Sequence, residues 1–433
     1  MLKITKGNFA ILENRNFLKL WFSQVLSQPA SSMLNFILVI KIFEISSSNF
    51  IVSLLVALVS VPPILFSSTA GVLADSFNRK QILVISNLLR AVIVVGLIFF
   101  GESYYSILIL AFLVSLVSVF FSPAETASIP TLTKNENLFA ANSLFLFTLY
   151  TSFLIGYSLG GPLLYWMGKD VYYVLIVCYL LATIMDTLLP PLNYHLQEKR
   201  EQLGRNLKNS FNKIWNKIRE GVEYIKHYPL LLVTILQITF VFSAERAIIA
   251  LVPDFATNIL NFNTSQIGYF LIAPVGLGAL MGALIANRLK RKFSRRKIIS
   301  IGILIDAITL TLLPLYSVFE KYAINFAYAS YFYWLLIFYI AILAFFSGLA
   351  DVAIIVSAQT MLQEATHNEK RGRVFGNLTM LMNLVGLPLV LLVGYLATYI
   401  SVSKIIFVIG LATILVAFLS IWMNRKRLDP IHN

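Results

Sequence analysis

The stretch Gly71-Val72-Leu73-Ala74-Asp75-Ser76-Phe77-Asn78-Arg79-Lys80 sets one acid and two bases between two long apolar runs. One run begins near Phe50 and the other near Gln81. Each continues for the roughly 20 mostly apolar residues that a helix needs to cross a bilayer. A polar decapeptide in that position reads as a tight turn at a membrane surface. Gly71 permits close helix approach, and Asp75 can meet the cations of the loop or a neighbouring helix end.

Outward from this turn the pattern repeats. Apolar stretches of spanning length start near Phe17, Phe50, Gln81, Tyr105, Ala140 and Val171. They resume near Pro229, Ser265, Ile298, Tyr331, Val374 and Lys404. The expectation is an all-α membrane protein of twelve transmembrane helices, as two bundles of six with a polar gap between them. Composition agrees: 58% of the 433 residues are apolar and 12% charged, against about 45–50% and about 25% in a typical soluble domain. Twelve spans leave no room for a large soluble domain.

The net charge of +14 could suggest nucleic acid, but the position of the bases excludes it. With the N-terminus placed inside, inward segments carry 27 Lys and Arg and outward segments carry 4. Basic residues stay on the cytoplasmic side, so both termini are expected there. Met1 to Arg15 lacks the apolar core of a cleavable signal, so the first span is expected to act as targeting signal. The lone Cys178 and four histidines in polar connections or the tail leave no cysteine or histidine metal centre and no internal disulfide. No cofactor is expected.

The expected organisation is an N-terminal bundle over 1–193, a cytoplasmic linker over 194–228 and a C-terminal bundle over 229–433. In the linker, Leu207, Phe211, Ile214, Ile218, Val222 and Ile225 recur at helical spacing beside Lys208, Lys213, Lys217 and Arg219. Such a basic amphipathic helix suits the membrane face. The halves also echo one another. Ala124-Glu125-Thr126 precedes Asn135-Glu136 and Asn142, while Ala358-Gln359-Thr360 precedes Asn368-Glu369 and Asn377. Duplicated bundles are a common transporter plan.

The Gly71–Lys80 stretch is similar to the loop signature G-x-x-x-D-R/K-x-G-R-R/K of the major facilitator superfamily. Ser76 and Asn78 stand where that signature has a basic residue and a glycine. The resemblance covers nearly the whole chain and is nearest to the drug-exporter branch with macrolide-efflux and siderophore-export proteins. It is also carried by Asn14-Arg15-Asn16-Phe17, Phe121-Ser122-Pro123-Ala124 and Arg371-Gly372-Arg373. It implies that Gly71, Asp75, Arg79, Lys80, Arg371 and Arg373 belong to a cytoplasmic gate. Gly156-Tyr157-Ser158-Leu159-Gly160-Gly161-Pro162 resembles the superfamily's antiporter signature, with Tyr157 in place of a proline. Gly156 and Gly160, and likewise Gly278 and Gly282, form small-residue faces that let helices approach closely. The resemblance implies that these two spans, the fifth and the eighth, meet.

Ionisable groups in spans are costly and mark function by default. Glu245 and Arg246 in span seven, Asp306 in span nine and Asp351 in span ten are the candidates for a substrate or proton path, with Arg90 in span three. Asp186 reads as an anchor at the end of span six. Span one offers Gln24 and Gln28 on one face and no acid.

The expected function is a secondary exporter of a small amphipathic organic molecule, coupled to protons or another ion by alternating access. The chain has no phosphate-cradling loop for ATP. A monomer in the bacterial cytoplasmic (inner) membrane is expected. The alternatives are a lysophospholipid-like substrate and, remotely, a membrane-embedded enzyme. No histidine lies in any span to serve an enzyme, so none is expected.

Overall fold

The computed structural model describes residues 10–192, 229–263, 266–289, 292–317, 319, 329–365 and 371–425. The linker with its amphipathic stripe lies outside the described residues.

The chain is helical throughout the described residues, because apolar runs in lipid must satisfy every backbone N–H and C=O internally. In order these are α1 (Arg15–Ser46), α2 (Asn49–Ser76), α3 (Arg79–Phe100), α4 (Tyr104–Leu132), α5 (Leu138–Met167) and α6 (Val171–Thr187). There follow α7 (Pro229–Asp254), α8 (Ala273–Leu289), α9 (Arg295–Leu312), α10 (Ala329–Ala365), α11 (Arg371–Leu396) and α12 (Val402–Arg425). Among the described residues, ten helical stretches are long and apolar enough to cross a membrane. Helices α5 and α6 fall within one such stretch, Ala140–Thr187, while α11 contributes only the shorter apolar piece Met382–Leu396.

Helix α3 illustrates the solvent for which these helices are built. Ile85, Leu88, Leu89, Val92 and Phe99 are exposed, while Asn87 and Arg90 are buried. That is the inverse of a water-soluble helix and suits an apolar surround. The Asn78 side chain accepts from the Lys80 N–H and caps the start of α3, so the Gly71–Lys80 stretch stops one helix and starts the next.

The helices gather into two compact units. The first holds α1, α2 beyond Ala57, and α3 to α6. The second holds Ser46–Ala57 and α7 to α12. In the first, α3 packs against α4 and α6, and α5 brings Gly156 and Gly160 onto Ser32, Met33 and Phe36 of α1. In the second, α9 packs against α10 and α12, and α7 against α11. Each unit thus pairs its third helix with its fourth and sixth, and its first with its fifth. Among the described residues of the second unit α8 also packs closely on α10, where a Cβ on Gly278 would stand 1.9 Å from the Phe345 carbonyl oxygen.

Candidate functional site

The basic residues of the Gly71–Lys80 loop serve helix ends of the first unit. Arg79 donates through Nε to the Ala74 carbonyl of α2 at 3.2 Å. Its Nη1 donates to the Ala127 carbonyl (2.7 Å) and the Thr131 hydroxyl (3.0 Å) of α4. Lys80 Nζ donates to the Leu189 carbonyl, just beyond α6, at 2.8 Å. The Ala74 carbonyl lies in the last turn of α2 and that of Leu189 just past the end of α6, where the helix itself supplies no donor and the dipole favours a cation, while Ala127 lies near the end of α4. One turn therefore fastens three helix ends. A side chain at Gly71 would meet only open space. The side chains of Asp75, Arg371 and Arg373 lie outside the described set.

In the second unit, three helices contribute the acids expected from the sequence. Glu245 of α7 and Asp351 of α10 meet in a hydrogen-bonding contact. Asp306 of α9 is 3% exposed and accepts from Ser347 Oγ of α10 at 2.8 Å. The other oxygen of Asp351, Oδ1, is buried without a partner. Arg246, next to Glu245 in sequence, turns toward α11 and donates through Nη1 to Asn383 Oδ1 at 2.7 Å. The structure therefore groups Glu245, Asp306 and Asp351, while Arg246 is engaged on another helix. The described residues hold no cluster of three or more metal-ligating acids, histidines or cysteines.

In the first unit, Arg90 is 3% exposed and lies with its guanidinium carbon 4.3 Å from the centre of the Phe121 ring. It donates to Asn87 Oδ1 (3.2 Å) and to Ser118 Oγ (3.0 Å). Around it stand two carboxyls, Glu125 of α4 and Asp186 of α6. Asp186, wholly buried, accepts from Asn87 Nδ2 at 2.8 Å, so the anchor expected at the end of span six is an interior one. Gln24 donates to the Phe145 carbonyl of α5 at 3.2 Å, and Gln28 reaches the Glu125 carboxyl. The two glutamines share a helix face, as their spacing predicts, but hydrogen-bond across helices to different partners. Glu125 is a buried acid that the pattern of the sequence does not single out. It stands there only as part of the echo between halves, although Arg90, a buried cation in need of a countercharge, is the available signal.

The glycine faces pack within their own units. A Cβ on Gly156 would stand 2.5 Å from Ser32 Cβ of α1, and one on Gly282 2.5 Å from the Leu349 carbonyl oxygen of α10. Gly160, Gly161 and Pro162 are buried in α5 beside them, where Tyr157 stacks on Phe153 at 4.7 Å.

Comparison with known proteins agrees with this picture. The chain is 25% identical over 390 residues to YfiS, an MFS-type transporter of Bacillus subtilis (strain 168), across 89% of this chain and 87% of that one. It is 26% identical over 332 residues to the multi-drug resistance efflux pump PmrA homolog of Lactococcus lactis subsp. lactis (strain IL1403), across 76% and 74%. Its fold matches the crystal structure of a POT family transporter in complex with a thioalcohol-conjugated peptide. That match has a TM-score of 0.70 at 11% identity, covering 96% of this chain and 97% of the other. The Major Facilitator Superfamily model matches residues 20–337 and 276–431. With its helices, its apolar exposed faces and this match along nearly its whole length, the chain belongs to the Major Facilitator Superfamily and is a multi-pass membrane transporter.

Proposed function

We propose that this transporter exports an amphipathic organic compound, drug-, macrolide- or siderophore-like, by alternating access and in exchange for protons across the bacterial cytoplasmic membrane. The observation that carries the proton is the contact between Glu245 and Asp351. Two carboxyl groups can hydrogen-bond only when one of them carries a proton. The pair therefore stores one proton inside the spanning region for as long as the contact lasts, and gives it up when the contact breaks. Asp306, fixed by Ser347, adds a third acid to the same unit. The similarity to a multi-drug efflux pump supports the outward direction and the amphipathic cargo.

In this reading the chain is a monomer of twelve spans with both termini cytoplasmic, divided as 1–193 and 229–433 around the 194–228 linker. Asp75, Arg79, Lys80, Arg371 and Arg373 belong to its cytoplasmic gate.

The test is transport by everted vesicles or proteoliposomes under an imposed pH gradient, with macrolides, siderophores, lipophilic cations and lysolipids as cargo. Wild type should dissipate the gradient on adding a substrate. Glu245→Gln and Asp351→Asn should lose gradient-driven transport while retaining exchange of labelled for unlabelled substrate. If no cargo dissipates the gradient, or both variants transport as wild type does, proton antiport through this pair is wrong. Lysolipid movement that ignores the gradient would replace the organic cargo by a lipid.

A further inference from the structure

The first unit contains a second ionisable cluster, which the proposed function does not use. Glu125 and Asp186 bring two carboxyls and Arg90 one guanidinium, and none of the three is more than 5% exposed. Buried charges must be paired or neutralised, and two carboxylates against one guanidinium leave one negative charge over. Their hydrogen bonds decide where the neutralising proton sits. Asp186 has one oxygen, Oδ1, buried without a partner, but it receives two donors, Asn87 of α3 and Ser23 of α1, which suit a carboxylate. Glu125 receives only Gln28, and its Oε1 is buried without a partner. Arg90 shows the complement: its hydrogen bonds go to the neutral Asn87 and Ser118, and its Nε–H is buried without an acceptor. An unused donor and an unused acceptor thus sit in one buried cluster, close enough for Glu125 and Arg90 to feel each other's charge.

We propose that Glu125 is a proton-binding site of the first unit, with Arg90 as its alternative partner. The carboxyl holds an exchangeable proton while Arg90 rests on Phe121 and Ser118. When that proton passes to water, the carboxylate accepts a hydrogen bond from Arg90 Nε–H, and no other bond is made or broken. The charged and titratable groups facing Glu125 are Arg90 of α3 and Asp186 of α6, with the Tyr179 ring of α6 centred 6.0 Å from the guanidinium carbon. Helix α1 contributes the neutral Gln28. A metal cation is the weaker occupant, since Arg90 opposes it and only two acids are available.

This inference does not depend on transport, so it is tested on purified protein in lipid, by infrared difference spectra between acid and alkaline pH. Wild type should show a protonated-carboxyl band that shifts in D2O and fades as pH rises. Glu125→Gln should lose one component of that band, Glu245→Gln should remove a different one, and in Asp186→Asn the Glu125 component should fade at lower pH, because the guanidinium then balances the one carboxylate left. In Arg90→Gln the Glu125 component should persist to higher pH, because the carboxylate has lost its partner. Arg90→Lys, which restores the charge, should return the profile toward wild type. If monodisperse Glu125→Gln retains the whole band, the site is wrong. If sodium at fixed pH abolishes the component, the site holds a cation and not a proton. An unmoved profile in Arg90→Gln overturns the exchange of partners. Failure of antiport through Glu245 would leave each of these outcomes unchanged.

Discussion

Replacing Gly278 by alanine should weaken the second unit more than one added methyl ordinarily does. The new Cβ would stand 1.9 Å from the Phe345 carbonyl oxygen, whereas ordinary contact begins at 3.4 Å, so α8 and α10 must part by about 1.5 Å along that line. Backbone cannot swing aside as a side chain can. The contact is also reciprocal, since a Cβ on Gly348 of α10 would stand 1.9 Å from the Val275 carbonyl oxygen of α8. Parting the helices loosens every pair along the seam, and a gap of 0.5–1 Å already forfeits about a quarter to a half of each attraction. Overpacking typically costs roughly 1–3 kcal/mol, and this geometry belongs at the upper end, about 3 kcal/mol. At roughly 2–4 °C per kcal/mol for a body of this size, the midpoint should fall by about 6–12 °C. The assay is thermal unfolding of the detergent-solubilised protein by circular dichroism, with Gly71→Ala as control, because a methyl there enters open space. The double variant Gly278→Ala with Gly348→Ala should cost less than the two singles combined, since the first substitution has already opened the seam. A Gly278→Ala protein that melts at the wild-type temperature, or strict additivity in the double variant, would refute the reasoning.

Arg79→Ala removes a fork of donors from the ends of α2 and α4, with an expected loss of about 2–3 kcal/mol in thermal unfolding. Arg79→Lys should recover little of it, because an ammonium cannot reach both helices at once. The Glu102–Lys169 pair joins two connections at one end of the first unit, at 2.7 Å. The hydrogen bond from Lys169, then the charge of Lys41, holds the Glu102 carboxyl below its ordinary range. A depressed carboxyl contributes stability above its unfolded value and loses it as pH falls through the folded one. The small deficit of Glu102→Gln should therefore be constant near neutrality, shrink in acid and vanish in high salt, because both groups are well exposed. A deficit that grows as pH falls contradicts the pairing.

The spans and the buried acids of the second half were legible because each is a property of a single helix: a long apolar run, interrupted by a costly charge. The glycine faces were legible on the same ground, but a small-residue face does not name its partner. Gly156 and Gly160 meet α1, and Gly278 and Gly282 meet α10. Glu125 was hidden because only the packing of α4 against α3 carries it beside Arg90. Asp186 read as an anchor of span six because Pro190 and Pro191 follow it closely. Leu189 and Leu192 beyond it are themselves buried in the core, so the chain past α6 stays inside the unit. The Arg79 contacts could not be read at all, since carbonyls of α4 leave no mark in the pattern of residues.

The two units place their charges by one plan and with opposite signs. Helices α3 and α9 both begin at an arginine behind a capping side chain, Asn78 in one and Ser294 in the other. Arg90 and Asp306 lie equally far along them, each 3% exposed. Each is bonded to a serine on the fourth helix of its unit, but the direction reverses: Arg90 donates to Ser118, and Ser347 donates to Asp306. The fourth helices differ in the same manner, for the echo that reads Glu125 in α4, buried, reads Gln359 in α10, exposed. Stability does not account for these charges, because apolar residues of similar volume commonly hold a buried site as well or better. The proton-binding role proposed above would. On that reading the first unit accepts or releases a proton with Arg90 standing ready to balance the carboxylate. In the second, Arg246 donates to Asn383 of α11 while its charge acts on Glu245, and on the proposed reading the Glu245–Asp351 pair itself keeps the proton while it stays closed. On this account one duplicated scaffold supports two proton sites that differ in what replaces the proton when it leaves.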